Sequence, residues 1–369
     1  MRTKSAAIIV VAVGIVAAVA LVAWQIKGRV TGSAVGLSGS NSNVQVAAKI
    51  PVKSVDHGWR TNPVIENHKN AKSSASAARS EHAPQKVDQG SGKTSFQWNG
   101  PALSSQVESA LGIRKSKSQE ERWIAIHGLG KTLSQDEINA LFQYLEDKAV
   151  GSPDEDIRGQ KNDILSALID QEPQPAQLQG KLLSMFRDKS HEEWWRNFCV
   201  QHFELLYRKK WPNGSTGGGD EERRAMKDAY SEAVREVGNS IAGTALLGLA
   251  RLSEDYPEFE KSSIMRDAVS IAANQGADQR SRIAALQVAG RLGCVDILPV
   301  ARSVVASGAG VSFRMAAIAT LGEVGKSEDK DVLRQIMTGS DPYLQKAATK
   351  ALNCIELRVA GVNSSNEGR

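Results

Sequence analysis

Histidine and cysteine are the side chains in this sequence best suited to metal binding or acid–base chemistry, yet their spacing matches neither a metal site nor a catalytic set. The chain has six histidines and three cysteines. Cys199 and His202 are three residues apart, so they lie on one face if this segment is helical. A structural zinc site needs four such ligands, and no second pair accompanies these two. We therefore predict no metal and no cofactor, and we expect the cysteines to be small buried residues.

The glycine-rich run at residues 214–219 has the composition of a phosphate-binding loop. Such a loop needs a lysine followed by serine or threonine directly after its glycines. Here the run is followed by Asp220, Glu221 and Glu222, whose charges repel a phosphate. We expect a flexible insertion that lengthens one structural unit. We assign no catalytic residue, because the sequence contains no recognisable Ser-His-Asp set, nucleotide fingerprint or carboxylate pair.

Tryptophan offers the best candidates for binding a partner, because large aromatic side chains often anchor protein interfaces. Trp194 and Trp195 are adjacent, and Trp211 follows sixteen residues after the second of them. The same side chains can instead fill core space, and at most one of two adjacent residues can point fully inward. We predict Trp194, Trp195 and Trp211 as candidate partner-binding residues, with one of the adjacent pair in the core and the other partly exposed. We expect Trp123 to lie in the core.

The elements that must position these tryptophans are copies of one motif. Its clearest copy begins at Arg314 and reads RMAAIATLGEVG, and similar copies begin 32 residues earlier at Arg282 and 31 residues later at Gln345. Looser copies begin at Arg122, Lys161, Arg196 and Ala242. Repetition with a period of this size is typical of stacked helical arrays, in which each unit buries its apolar face against its neighbours.

Each copy of the motif follows a shorter apolar segment of helical period, so the array consists of helical pairs. Helix starts are indicated by capping boxes, in which a serine hydroxyl and a carboxylate bond free amides of the first turn, at Ser118, Ser134 and Ser190. The sequence therefore predicts an all-α fold, a solenoid of about seven helical pairs over residues 96–360. We expect residues 361–369 to form a disordered tail.

The pattern cation-x-small-Ala-apolar-x-x-Leu-Gly-x-apolar-Gly resembles bacterial HEAT repeats, including the HEAT-like repeats of phycobilisome lyases. The resemblance covers about 278–356 and 118–132, and it is loose from 154 to 252, where aromatic residues replace small ones. It implies a right-handed superhelix that holds other macromolecules, and it does not imply an activity. It also implies a structural role, tying adjacent repeats to an acid in a turn, for the leading arginines Arg122, Arg196, Arg282 and Arg314.

Residues 6–24 are an unbroken run of 19 apolar or glycine residues. As a helix this run spans about 28 Å, close to the ~30 Å hydrocarbon core of a bilayer. Cations lie on both sides of it, and Trp24 stands where an interfacial aromatic residue belongs. We predict that residues 1–27 form a transmembrane anchor. The alternative is a signal peptide cleaved after Ala20, although the apolar run continues beyond that position.

Residues 28–95 are rich in Ser, Gly, Ala and Lys without helical or strand period, so we predict a disordered linker. The basic excess of the chain lies in this linker and in residues 1–27. Residues 96–369 contain 34 Lys/Arg against 37 Asp/Glu, a balance of −3. Nucleic-acid binding needs a basic surface, and we expect none in the repeat region.

These patterns predict a membrane-anchored, non-enzymatic interaction scaffold. We expect it in a bacterial inner membrane, with the C-terminal region exported and with a protein or peptide partner in the concave surface of the solenoid. One alternative is a HEAT-like enzyme, similar to bilin lyases or to DNA glycosylases. The other alternative is a purely structural spacer.

Overall fold

The computed structural model describes residues 96–113, 118–149, 155–212 and 219–366, and these residues form fourteen α-helices and no strand. In chain order the helices are α1 (Ser105–Leu111), α2 (Gln119–His127), α3 (Gln135–Glu146), α4 (Glu155–Ile169), α5 (Leu178–Arg187), α6 (Glu193–Lys210), α7 (Asp220–Val234), α8 (Ile241–Asp255), α9 (Lys261–Ala273), α10 (Gln279–Arg291), α11 (Leu298–Ala306), α12 (Val311–Val324), α13 (Lys330–Met337) and α14 (Pro342–Asn366).

The helices pack as seven consecutive pairs, from α1 with α2 to α13 with α14. The second helix of each pair also contacts the second helix of the next pair, so the even-numbered helices form a continuous layer. Contacts between successive first helices are fewer. All seven copies of the sequence motif begin in second helices, and the Gln345 copy begins in the first turn of α14. The predicted all-helical, solenoid-like array is confirmed for these residues, and its right-handed sense stays a prediction.

The predicted anchor and linker, residues 1–27 and 28–95, lie outside the described residues. None of the described helices combines the length and the apolar character that crossing a bilayer requires. At the other end of the chain, α14 runs to Asn366 and so continues past residue 360, where we predicted the repeat region to end.

Two of the three predicted capping boxes form. Ser118 accepts from the Glu121 amide and its own amide donates to the Glu121 carboxylate, and Ser134 does the same with Glu137. The box predicted at Ser190 is wrong, because α6 begins at Glu193 with Glu192 as its N-cap. The Ser190 hydroxyl instead donates to the Asp188 carboxylate.

The leading cation of the motif bonds the end of the first helix in its own pair. Arg196 Nε donates to the Phe186 carbonyl at 2.7 Å, Arg282 Nε to the Ala272 carbonyl at 3.1 Å and Arg314 Nε to the Val305 carbonyl at 3.3 Å. The last carbonyls of a helix have no partner within the helix and carry the negative end of its dipole, so they attract a cationic donor.

These bonds correct the expected pairing of the leading arginines with an acid of an adjacent repeat. For Arg282 and Arg314 the bonded acceptor lies within the pair. Arg196 makes both kinds of interaction. It bonds the Phe186 carbonyl within its own pair, and it also pairs with Glu236 in the loop between α7 and α8. Arg122 instead donates to the Tyr144 hydroxyl of the next pair at 2.8 Å.

Small residues allow the second helices to approach closely. The Gly243 amide of α8 donates to the Ser281 hydroxyl of α10 at 2.9 Å, and that hydroxyl donates to the Asn239 carbonyl at 2.7 Å. A Cβ atom at Gly243 would lie 2.8 Å from the Ser281 Cα and 2.9 Å from the Ala284 Cβ. The backbone of the neighbouring helix therefore occupies the space that any larger residue would need.

We expect Gly243→Ala to lower the free energy of unfolding by about 1–3 kcal/mol, because the added methyl group overpacks the contact between α8 and α10. The matched control is Gly159→Ala in α4, where a Cβ atom meets nothing within 4 Å. That control should raise the free energy of unfolding by about 0.5–1 kcal/mol, the usual gain from replacing a helical glycine. Denaturant unfolding checks both values, and a stabilised Gly243→Ala would contradict the close packing.

The lysine in the leading position of α4 is buried. Lys161 is 2 % exposed, and its ammonium donates to the carbonyls of Leu145 at 3.1 Å and Asp147 at 2.8 Å, at the end of α3. Burial lowers the pKa of Lys161 from 10.5 to about 8, against the opposing effect of nearby negative groups such as Asp147.

This shift predicts a pH dependence. Between about pH 8 and 10.5 the unfolded chain holds a proton on Lys161 that the folded chain has lost, so stability rises with pH in this window. From about pH 8 to 10.5, we expect the free energy of unfolding of the wild-type chain to rise by on the order of 3 kcal/mol relative to that of Lys161→Met. Denaturant unfolding at pH 7, 8, 9 and 10 measures this gain. A difference between the two proteins that stays constant over this range would contradict the prediction.

Candidate functional site

Helix α6 separates its two adjacent tryptophans. Trp195 is 1 % exposed and belongs to the core, whereas Trp194 is partly exposed and packs against the core from outside. The predicted division of the pair into one inward and one outward residue is therefore confirmed. It follows from helix geometry, since successive side chains are about 100° apart around the axis.

Two of the three predicted partner-binding residues are buried and require correction. Trp195 faces the Lys161 ammonium, with 5.5 Å between Nζ and the ring centroid. Trp211 is 1 % exposed, its ring centroid is 4.6 Å from that of Tyr207, and its carbonyl accepts from the Tyr256 hydroxyl at 2.9 Å. The middle pairs lack the small alanine pairs of the C-terminal repeats, and aromatic rings such as those of Trp195 and Trp211 fill space in the core there. Trp195 and Trp211 therefore have almost no exposed surface that a partner could contact.

The expected core position of Trp123 is wrong. Trp123 is 52 % exposed on α2, where its ring lies 4.2 Å from that of His127, and the next residue, Ile124, is 57 % exposed. Helix α2 belongs to the first described pair, so it has a neighbouring second helix, α4, on one side only. Periodicity places Trp123 on a helix face, but the number of neighbouring helices decides whether that face is covered.

Trp194 lines a cleft of about 350 Å³ at the surface of three successive pairs. We call it the Trp194 cleft, and its walls are Glu192, Glu193, Trp194, Asn197, Phe198, Ser240 and Arg280. Trp194, Ser240 and Arg280 each stand two residues before the leading position of the motif, in α6, just before α8 and in α10. In the cleft, a small serine stands between two long side chains at equivalent positions.

The Trp194 ring is held in place from several sides. The Arg158 guanidinium of α4 lies over it, with 5.2 Å from Cζ to the ring centroid. Its indole N–H donates to the Glu192 carboxylate, and the Phe198 ring contacts it edge-on at 5.9 Å. An aromatic ring that is already oriented loses little conformational freedom when a ligand binds.

Some polar groups of the cleft are hydrogen-bonded within the chain, and others have no hydrogen-bond partner among the described residues. Glu193 accepts from the Ser240 amide at 3.3 Å and from the Ser240 hydroxyl at 3.2 Å. Asn197 Oδ1 is buried and has no hydrogen-bond partner among the described residues. A buried acceptor without a donor is unfavourable, and Asn197 Oδ1 is such a group in the wall of the cleft.

Cys199 and His202 lie on the buried face of α6. Cys199 is fully buried, and burial raises the pKa of its thiol far above the ordinary value, which keeps it protonated and unreactive. His202 lies 3.1 Å from the Ser166 hydroxyl and 2.9 Å from the Phe198 carbonyl, and burial lowers its pKa. Within the ranges that the structure describes, no group of three or more His, Cys, Asp or Glu residues is arranged to hold a metal. The predicted insertion at 214–219 lies almost entirely outside these ranges.

Comparison with known proteins supports the repeat assignment at the C-terminal end of the chain. Residues 267–353 match the family model described as HEAT repeats. This range runs from within α9 to within α14 and overlaps the segment whose sequence resembles HEAT repeats most clearly. A search of curated proteins finds no similar sequence. Among solved structures, the designed armadillo repeat protein YIII(Dq)4CqI shares 15% identity with this chain, with a TM-score of 0.32, over 68% of this chain and 98% of that one.

Proposed function

We propose that this protein is a non-enzymatic interaction scaffold that holds a peptide segment of a partner protein in the Trp194 cleft. The observation that carries the proposal is the partly exposed, firmly oriented indole of Trp194 beside a hollow over Ser240. Tryptophan and arginine are the residues most often found as energetic anchors of interfaces, and both line this cleft.

The size and lining of the cleft favour a peptide over a large cofactor. Its volume of about 350 Å³ is at the lower end of the range for ligand sites, about 300–1,000 Å³. Such a volume suits one or two side chains. The remainder of an extended peptide would lie along the layer of second helices, because a helical array presents a long continuous surface.

The chemistry of the available groups also favours binding over catalysis. The two carboxylates of the cleft, Glu192 and Glu193, each accept hydrogen bonds from donors of the same chain. The nearest thiol, Cys199, is buried and protonated. A nucleophile must reach its substrate, and this buried thiol cannot do so.

We also propose that residues 6–24 anchor the protein in a bacterial inner membrane and that the repeat region is exported. The support is the length of this apolar run, its flanking cations and its separation from the repeats by residues 28–95. The anchor would hold a partner close to the membrane surface.

Anchoring is tested by Val13→Arg, because an arginine at the centre of a spanning helix costs about 2.5–3.5 kcal/mol of insertion free energy. We expect the wild-type chain to stay with membranes through an alkaline wash and Val13→Arg to be released. The matched control, Val35→Arg in the predicted linker, should remain bound. A reporter enzyme that is active only outside the cytoplasm, fused after Arg369, should be active. Release of the wild-type chain would refute the anchor, and a silent reporter would refute the export.

Peptide binding is tested by displaying random twelve-residue peptides to the full chain and measuring the affinity of the enriched peptides by fluorescence anisotropy. We expect Trp194→Ala to weaken binding about 30-fold or more, the typical effect of losing an interface anchor. The matched control is Trp123→Ala, which removes a more exposed tryptophan outside the cleft and should leave affinity unchanged. Unfolding curves of both variants establish that each is folded. The proposal fails if no peptide is enriched or if enriched peptides bind Trp194→Ala as well as the wild type.

A further inference from the structure

We infer that the Trp194 cleft selects acidic peptide segments, in which a carboxylate pairs with Arg280 while a neighbouring apolar residue packs on Trp194. This inference rests on the proposed function and specifies its ligand. Its evidence is the distribution of available charge and available hydrogen-bonding capacity around the cleft.

Arg280 is the available cation of the cleft wall. It is exposed near the start of α10, and among the described residues its guanidinium has neither an ion-pair nor a hydrogen-bond partner. Arg291, on the same helix, is by contrast paired with Glu254 at 2.6 Å. A guanidinium presents a planar set of donors that matches a carboxylate in a two-bond arrangement.

The acidic residues of the cleft are already engaged. Glu193 holds the Ser240 amide and hydroxyl, and Glu192 holds the Trp194 indole. A basic ligand would share each carboxylate with the donor already bound to it. An acidic ligand would form a new ion pair with Arg280, the cation of the cleft wall that has no such partner among the described residues.

A second guanidinium adds to this preference. Arg158 lies over the Trp194 ring at 5.2 Å, and its Nε is buried without a hydrogen-bond partner in the described part of the chain. Arg158 and Arg280 stand on α4 and α10, on the two sides of α6 and α8. The potential of both therefore acts on a ligand that lies across the second helices.

The Trp194 ring distinguishes a peptide from a free anion, because it offers an apolar surface in the same cleft as the Arg280 guanidinium. One extended segment can place an apolar side chain on Trp194 and a carboxylate on Arg280 together. The ligand class is an extended peptide with Asp or Glu next to an apolar residue.

The test uses a peptide enriched on the full chain together with two variants of it, one with Asn or Gln in place of its acids and one with Lys. Anisotropy titrations with wild-type protein should show that the acidic peptide binds about fivefold more tightly than the amide version, the size expected for a pair between exposed charges. Arg280→Gln should abolish this difference, and Arg280→Glu should favour the lysine version. The matched control Arg291→Gln should retain the wild-type preference.

The possible results separate the acidic preference from the proposed function. Peptides that depend on Trp194 but bind equally well with acid or amide would overturn the acidic preference and leave the proposed function intact. Equal loss of preference in Arg280→Gln and Arg291→Gln would also overturn it, because the effect would then be a general one of net charge. Enrichment of no peptide that depends on Trp194 would overturn the proposed function and this inference together. Since Arg280 is exposed and unpaired, its substitutions should leave the unfolding curve unchanged.

Discussion

The hydrogen bond from a leading cation to the last carbonyls of the preceding helix is the interaction on which the array depends. It occurs with Lys161, Arg196, Arg282 and Arg314, in four of the seven pairs. The bond satisfies carbonyls that a helix end leaves free, and it fixes the rotation of the second helix relative to the first. In the pairs of α6 and α10 this bond sets the side on which Trp194 and Arg280 lie. The pair between them leads with Ala242, which cannot make the bond, and it places Ser240 at the equivalent position.

Residue size in the layer of second helices determines how the array changes along its length. Near Gly243 and Gly322 the helices are so close that a Cβ atom at either glycine would lie 2.8–3.0 Å from the neighbouring backbone. Around the C-terminal end of α6, aromatic residues stand between the helices instead, and Tyr207, Trp211 and Tyr256 form a buried cluster. Trp194 belongs to the same aromatic-rich helix, α6, and packs partly exposed against the outside of the core.

The Trp194 cleft differs from other polar regions of the array because some of its polar groups have no hydrogen-bond or ion-pair partner among the described residues. Several charged groups of the second helices are paired across the layer, as Arg251 is with Glu204 and Arg291 is with Glu254. In the cleft, Arg280 and Asn197 Oδ1 lack partners among the described residues. A scaffold binds where its own interactions are incomplete, because a ligand there gains bonds without displacing existing ones. This incompleteness, together with the partly exposed aromatic ring, is the reason for proposing the cleft as the binding site.

The motif and its period alone predicted the helical pairs, the second-helix position of its seven copies and the capping boxes at Ser118 and Ser134, since these depend on contacts within a few residues of the chain. The division between Trp194 and Trp195 also followed from helix geometry. The burial of Trp211 and the exposure of Trp123 did not, because burial depends on which neighbouring helices are present and how closely they pack. The Trp194 cleft was likewise beyond prediction, since residues 40 or more positions apart, Trp194, Ser240 and Arg280, become neighbours only when successive pairs stack.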